Sequence, residues 1–397
     1  MKLEYGEVET MKHVIIGAGP AGLTAAKTIR GLRQEDEIVV VSTDQEVYGR
    51  NMLLRYLSGE KTAEKINFVE PDFFEKYQVR WISGQGAEEI YPEPKEVLLS
   101  DGSRESYDRL LIASGAQPSI PPVEHLRDAS GVFVFRDMPD ADAILEEISQ
   151  GCRVAVIGSG LVGMDVTEAL LHRGCQVTVV EMADRIIPLQ LDQEAAARYQ
   201  KAFEERGASF FLQAKVESCL IDSDSHARGI LLADGRNIDC DIIVVAAGVR
   251  PNFSFAKSSV KSDRGVTVNE HMMTSLPDIF AAGDVTGLTG TWLCAVEQGK
   301  VAGENMAGKD SVYQNAYPPR NGLNYYGIMS LAIGDIFLDG GTYVVKREEK
   351  SYQRGVVLDG VLRGMLLVGN IAKGNAWTKM IREGKQVPAD EELFSMV

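Results

Sequence analysis

The chain has 397 residues and a net charge of −16, from 57 Asp and Glu against 41 Lys and Arg. So acidic a protein argues against non-specific attachment to nucleic acid or to a membrane surface, whose phosphates it would repel. Hydrophobic content of 45% and charged content of 25% are those of a soluble globular protein, and the length calls for two or three domains. No run approaches the ~18 apolar residues of a membrane span. The N-terminal MKLEYGEVET places acids where a signal peptide needs an apolar core, so a cytoplasmic location is expected.

Lys12 to Gly22 reads KHVIIGAGPAG, an apolar strand, a glycine turn and the start of a helix. Gly17, Gly19 and Gly22 form G-x-G-x-x-G, and each has its own task. Gly17 makes the tight turn, Gly19 lets a pyrophosphate approach bare backbone, and Gly22 lets the helix pack against the strand. Pro20 and Ala21 open that helix, whose N–H groups and positive dipole end point at the phosphates. The next strand, Ile38 to Val41, ends at Ser42 where a carboxylate for an adenosine ribose is usual; its hydroxyl is the candidate ligand in that place.

Further along, Val47 to Glu60 reads VYGRNMLLRYLSGE, and a hairpin signal, Ser100-Asp101-Gly102-Ser103, lies ahead of an apolar strand and Ala113-Ser114-Gly115-Ala116-Gln117-Pro118. Ser119 to Pro122 is a stiff linker. A second strand, Arg153 to Ile157, then runs into Gly158-Ser159-Gly160-Leu161-Val162-Gly163 and another helix. The following strand ends in Glu181, 18 positions after Gly163. An acid at that spacing accepts hydrogen bonds from ribose hydroxyls and repels a 2′-phosphate, which favours NADH over NADPH. Two such loops call for two dinucleotides.

Asp241 to Asn252, with Gly248, is a return strand. Asp278 to Val285 is another that ends in Gly283-Asp284, and Trp292 to Met306, with Glu297, is a helix. From Asn321 the chain changes to short strands and turns at Asp339-Gly340-Gly341 and Asp359-Gly360, then a helix near Asn375 to Glu383. From Pro319 onward there are 10 basic and 9 acidic residues, so this piece is near neutral. Cys152, Cys175, Cys219, Cys240 and Cys294 include no C-x-x-C pair, so neither a metal site nor a disulfide framework is expected. His172 and His226 have no ligand partners at metal spacing.

In order, these motifs resemble the FAD-dependent pyridine nucleotide-disulfide oxidoreductase superfamily, within it the branch of NADH:rubredoxin oxidoreductases and nitrite reductase flavin subunits. Tyr48-x-Arg50-x-x-Leu53 with Leu57-x-Gly59, the ASGAQP segment and Gly283-Asp284 carry the likeness. It implies an α/β fold of two Rossmann-like three-layer domains and a small α+β C-terminal domain. The FAD domain is expected at 1–120 and 242–318, the NAD domain at 121–241 and an interface domain at 319–397. It also implies that Ala113, Ser114 and Gly115 pass close to FAD, that Asp284 binds the ribityl chain, and that Glu297 sits on a helix facing the flavin. Arg50 and Arg55 are the candidates for a basic residue beside the isoalloxazine. Asp165 stands where the family usually has Glu near the nicotinamide. Redox-active cysteines of the superfamily are missing: Asn51 occupies the place of the single cysteine of NADH peroxidases and oxidases.

The expected activity is transfer of hydride from NADH to FAD and then of electrons to rubredoxin, ferredoxin or another iron–sulfur protein, with a homodimer compatible. Two other readings are an electron-transfer subunit of a larger complex, such as one with carbon monoxide dehydrogenase or nitrite reductase, and a peroxide-forming NADH oxidase.

Overall fold

A computed structural model describes residues 10–288, 290–314 and 318–397. The N-terminal stretch read against a signal peptide lies, through position 9, outside the described residues. The chain divides into two compact units, one of Met1–Gly49, Asn67–Gln117 and Arg250–Asn315, the other of Arg50–Ile66, Pro118–Val249 and Ala316–Val397.

The first unit is built on a parallel sheet in the order Ile279–Ala281, Arg109–Ile112, Lys12–Ile16, Glu37–Ser42, Val79–Ser83. Its strands are near-continuous apolar runs because both faces are covered. Ile15, Ile38, Val40 and Leu111 pack with Leu23, Ala26 and Ile29 of the helix Pro20–Leu32 and with Ala302 and Met306 of the helix Trp292–Met306. Val14, Ile16, Val39 and Ile112 pack the other way, onto Ile90, Val97 and Leu99 of an antiparallel three-stranded sheet. Strand alternation thus sends successive residues into two different layers. The two helices come within backbone contact because Gly299 stands over Ala21 and Gly303 over Ala25. The polar strand residue His13 is fully buried, its Nε2 2.8 Å from Asp36 Oδ2, which Arg33 Nε also reaches at 3.0 Å. Burial holds the His13 pKa below its ordinary value even though Asp36 pulls it upward.

The second unit repeats the plan, with parallel strands in the order Ser209–Phe211, Gln176–Val180, Arg153–Ile157, Ile242–Val245, Val132–Val134. Ala155, Val180 and Ile243 pack against Cys219, Ile230 and Ile238 of its own antiparallel excursion. The C-terminal region is a five-stranded antiparallel sheet, Arg320–Tyr325, Ile328–Gly334, Val361–Val368, Tyr352–Leu358, Thr342–Arg347. One of its faces rests on the helices Leu161–His172 and Gln193–Glu204 through Tyr325, Ala332, Tyr352 and Leu366 against Met164, Tyr199 and Phe203. The other takes the amphipathic helix Gly374–Arg382, whose Trp377 has no exposed surface. Trp377 is therefore a core residue.

All five cysteines are reduced and buried. His226 is half-buried: it packs under Gly131, and its ring nitrogens lie 3.2 Å from Ser130 Oγ and 3.3 Å from Asp241 O. Among the described residues no helix is long and apolar enough to cross a membrane, and no group of His, Cys, Asp and Glu is arranged to hold a metal.

Candidate dinucleotide sites

In a parallel sheet every strand delivers its C-terminal residue to the same edge. In the first unit that edge collects the loop after Ile16, the segment after Ile112 and the turn after Ala281. Gly17 (φ +115°) donates its N–H to Val41 O at 2.7 Å, and a Cβ on it would stand 2.2 Å from Ala113 O. Gly22 is tighter still, its Cβ position 2.0 Å from Gly17 O. Gly19, between them, has nothing within 4 Å of where a side chain would go. The loop is thus jammed at two glycines and open at the third, as a backbone site for a phosphate requires. Ala113 is buried, Ser114 Oγ donates to Asn252 O at 2.5 Å, and Gly115 O accepts Asn252 N–H at 3.0 Å. Gly283 (φ +85°) turns the chain into the 3-10 segment Asp284–Thr286, close against Ala21.

Sequence reasoning assigned no role to Gln298, yet its fully buried Oε1 accepts the Gly283 N–H at 2.8 Å. It holds the turn that presents Asp284. Its neighbour Glu297 has a buried Oε2 without a partner among the described residues, and burial raises its pKa. Ser42 is buried, with its hydroxyl 3.3 Å from Asp44 Oδ2 and accepting the Asp44 N–H at 3.1 Å.

The second unit has the same edge. A Cβ on Gly158 would meet Ala246 O at 2.5 Å and one on Gly163 would meet Gly158 O at 2.0 Å, while Gly160 faces open space. Half-buried Leu161 and Val162 begin the helix, and Gly248 (φ +95°) follows the strand Ile242–Val245. Glu181, directly after the strand Gln176–Val180, has both carboxylate oxygens engaged. Oε2 accepts the Ser159 N–H and the Ser159 hydroxyl, each at 2.8 Å, and Oε1 accepts the Ala183 N–H at 2.8 Å.

Helix capping differs along the chain, and an uncapped start is not confined to these loops, since Gly374–Arg382 also lacks a side-chain cap. The helices Met138–Glu147 and Gln193–Glu204 have their first N–H groups capped by Asp137 and Asp192. Pro20–Leu32, Leu161–His172 and Trp292–Met306 have no side-chain cap and no acid in the first turn. Their positive ends remain available for an anion.

Arg50 is half-buried in the 3-10 turn Arg50–Met52, and Asn51 is exposed. Arg55, on Leu53–Leu57, is bound to Glu60 by Nη1 at 2.6 and 2.8 Å. Asp165 has a partner no sequence signal announced, since Tyr325 donates its hydroxyl to Oδ1 at 2.6 Å from 160 positions away. Burial pushes the Asp165 carboxyl up to about 7, the Tyr325 hydrogen bond and Arg55 opposing and Glu168 adding to the rise. The folded pKa lies above the ordinary 3.8, so the folded state holds this proton more tightly. The stability it contributes is full below about pH 4 and lost as pH rises toward 7. Asp165→Asn is expected to remove about 2 to 3 kcal/mol of the stability loss between pH 5 and pH 8, read by denaturant unfolding at both values. An equal slope in protein and variant would exclude Asp165 as its source.

Residues 11–299 match the family described as pyridine nucleotide-disulphide oxidoreductase. The chain belongs to this family. The assimilatory nitrate reductase electron transfer subunit of Bacillus subtilis (strain 168) is 31% identical over 367 residues, covering 90% of this chain and 47% of that protein. The chain thus spans about half the length of that relative. The NADH-dependent phenylglyoxylate dehydrogenase subunit epsilon of Aromatoleum evansii is 29% identical over 391 residues, 94% of this chain and 92% of the relative. Among solved structures, NADH:rubredoxin oxidoreductase from Clostridium acetobutylicum superposes with a TM-score of 0.80 at 25% identity, over 98% of this chain and all of the other. Two parallel sheets with glycine-rich first crossovers are thus the family's fold in this chain.

Proposed function

We propose that the chain is an FAD-dependent oxidoreductase that takes hydride from NADH and passes electrons to a small redox protein or an iron–sulfur subunit. One observation carries this reading: the chain folds two parallel-sheet edges, each with a glycine loop open only at its middle glycine and an uncapped helix behind it. The presence of an acid distinguishes the two. Residues 1–120 and 250–318 would form the FAD half, with Gly17, Gly19, Pro20, Ala21 and Gly22 on the pyrophosphate. The strand Ile242–Val245, expected in that half from the sequence, is paired into the second unit's sheet. Ser42 would meet the adenosine ribose, Ala113 to Gly115 would lie beside the flavin, and Gly283, Asp284 and Glu297 would hold its ribityl and ring end. Residues 121–241 would hold NADH through Gly158, Gly160, Leu161, Val162, Gly163 and Glu181, with Gly248 at the neighbouring strand end. Residues 319–397 would be the interface domain.

Bound FAD supplies acceptance of a hydride and release of electrons one at a time. The chain's own part is orientation, since no acid or base is needed for the transfer. Arg50 and Arg55 would set the charge near the flavin. The segment Arg50–Leu57 contains no cysteine, so no thiol on it relays electrons.

Stopped-flow mixing of the purified protein with NADH, followed by rubredoxin, ferredoxin and oxygen in turn, tests the proposal. NADH should bleach the protein, and a one-electron protein carrier should reoxidise it far faster than oxygen does. Oxygen as the better acceptor favours the peroxide-forming oxidase instead. The relative that is a dehydrogenase subunit, matched along almost its whole length, supports a second reading as a subunit of a larger complex; its mark is an iron–sulfur protein that co-purifies. Glu181→Ala should narrow the preference for NADH over NADPH by about 1 to 3 kcal/mol, the scale of a lost charged hydrogen bond. Steady-state kcat/KM for the two coenzymes measures this.

A further inference from the structure

The two glycine loops differ at their second position, and the difference tracks the strand beside each. In the first unit the loop carries Ala18, and the neighbouring strand ends in Ser42. In the second it carries Ser159, fully buried, and Glu181 directly follows the neighbouring strand. A hydroxyl donor stands in the loop where a carboxylate must be held and is absent where there is none. Ser159 makes three contacts outside its own loop: amide and hydroxyl to Glu181 Oε2, and its carbonyl to Ile187 N–H at 2.8 Å. A carboxylate has about four acceptor positions. Ser159 takes both on Oε2, and Ala183 takes one on Oε1.

We propose that Ser159 is a specificity-determining positioning residue, pinning Glu181 so that its remaining acceptor position meets a ribose hydroxyl and its charge refuses a 2′-phosphate. The inference rests on the NADH reading of this loop given above. A hydroxyl can donate to the remaining position on Oε1. A phosphate monoester is mostly a dianion at neutral pH and repels the carboxylate, and Glu181 cannot swing aside for it without giving up three hydrogen bonds. Without the serine hydroxyl one of those bonds is gone, the side chain gains freedom to turn, and both the welcome and the refusal weaken.

The test uses the FAD-loaded protein, ferricyanide as acceptor, and Ser159→Ala, Glu181→Ala and the double variant. For Ser159→Ala the KM for NADH should rise about five- to ten-fold, with kcat held within about two-fold, and the NADH/NADPH ratio of kcat/KM should fall about ten-fold, the factor that follows from one weakened charged hydrogen bond. In the Glu181→Ala background the same serine change should move that ratio by less than about two-fold, because the residue acts through the carboxylate. Flavin absorbance and melting temperature report folding. If the alanine variant does not fold, Ser159→Cys, which keeps the volume and weakens the donor, carries the same comparison. Equal losses for both coenzymes, or an effect that persists without Glu181, overturn the proposal and leave Ser159 a packing residue. A preference unchanged in Glu181→Ala overturns the NADH assignment of the loop itself, a distinct outcome.

Discussion

Asp284→Ala is expected to purify colourless or to lose its colour on gel filtration, with FAD bound about ten- to a hundred-fold more weakly, the scale of one charged hydrogen bond. The turn that carries this residue is held from three directions. Gly283 takes a φ of +85° that side chains rarely adopt, Gln298 Oε1 accepts its N–H, and the Thr286 hydroxyl donates to Gly283 O at 2.8 Å. A carboxylate on so constrained a turn is pre-oriented, so its loss removes an interaction whose ordering cost folding has already met. Asp284→Asn, which keeps an acceptor oxygen, should retain most of the flavin. Gln298→Ala should weaken binding with Asp284 intact, by loosening the turn. Full occupancy in Asp284→Ala, judged by the ratio of flavin to protein absorbance, would remove Asp284 from the ribityl end.

Gly22→Ala and Gly19→Ala, three residues apart, should fail in different ways. An alanine methyl at position 22 would lie 2.0 Å from the Gly17 carbonyl oxygen, a distance no pair of real atoms tolerates, and the obstacle is backbone that cannot rotate away. The helix Pro20–Leu32 would have to lift off its strand, dragging the contacts of Leu23, Ala26 and Ile29 with it. Overpacking of this kind costs typically ~1 to 3 kcal/mol and more where nothing yields, so Gly22→Ala should lower stability with or without FAD. At position 19 the methyl meets nothing within 4 Å. Gly19→Ala should therefore fold as the parent does when stripped of FAD, yet bind it poorly because the methyl fills the space that a phosphate needs. Melting temperatures of the apo and FAD-loaded forms separate the two. If Gly19→Ala takes up FAD as readily as the parent, the open space beside it is not the pyrophosphate site. Gly163 and Gly160 repeat the contrast in the second unit, with NADH as the ligand.

Local patterns in the chain were enough to mark where the strands and their glycine turns lie. The run His13 to Ile16 with three glycines at fixed spacing, repeated at Val154 to Gly163, depends on nearest neighbours alone: apolar side chains need cover on both faces, and a strand meets a helix closely only where Cβ is absent. The structure places strands and helices at both positions, and turns at Gly102, Gly340 and Gly360, within a residue or two of those expectations. The same locality explains what could not be read. Ser159 was visible only as a filler between two glycines, because its partner Glu181 is reached through a parallel strand pairing. Gln298 carried no local signal of a role, since the Gly283 amide it holds belongs to another element.

What the amino-acid sequence by itself determined is the pair of glycine loops, the acid that distinguishes them, and the missing thiol. Each is a matter of residue type at short spacing. What only the tertiary structure decided is how those residues are held: Tyr325 on Asp165, Glu60 on Arg55, Ser159 and Ala183 on Glu181, Gln298 on the Gly283 turn. The physical reason is that a buried polar group must find a partner wherever packing brings one within about 3 Å, and packing joins positions that sequence order keeps apart.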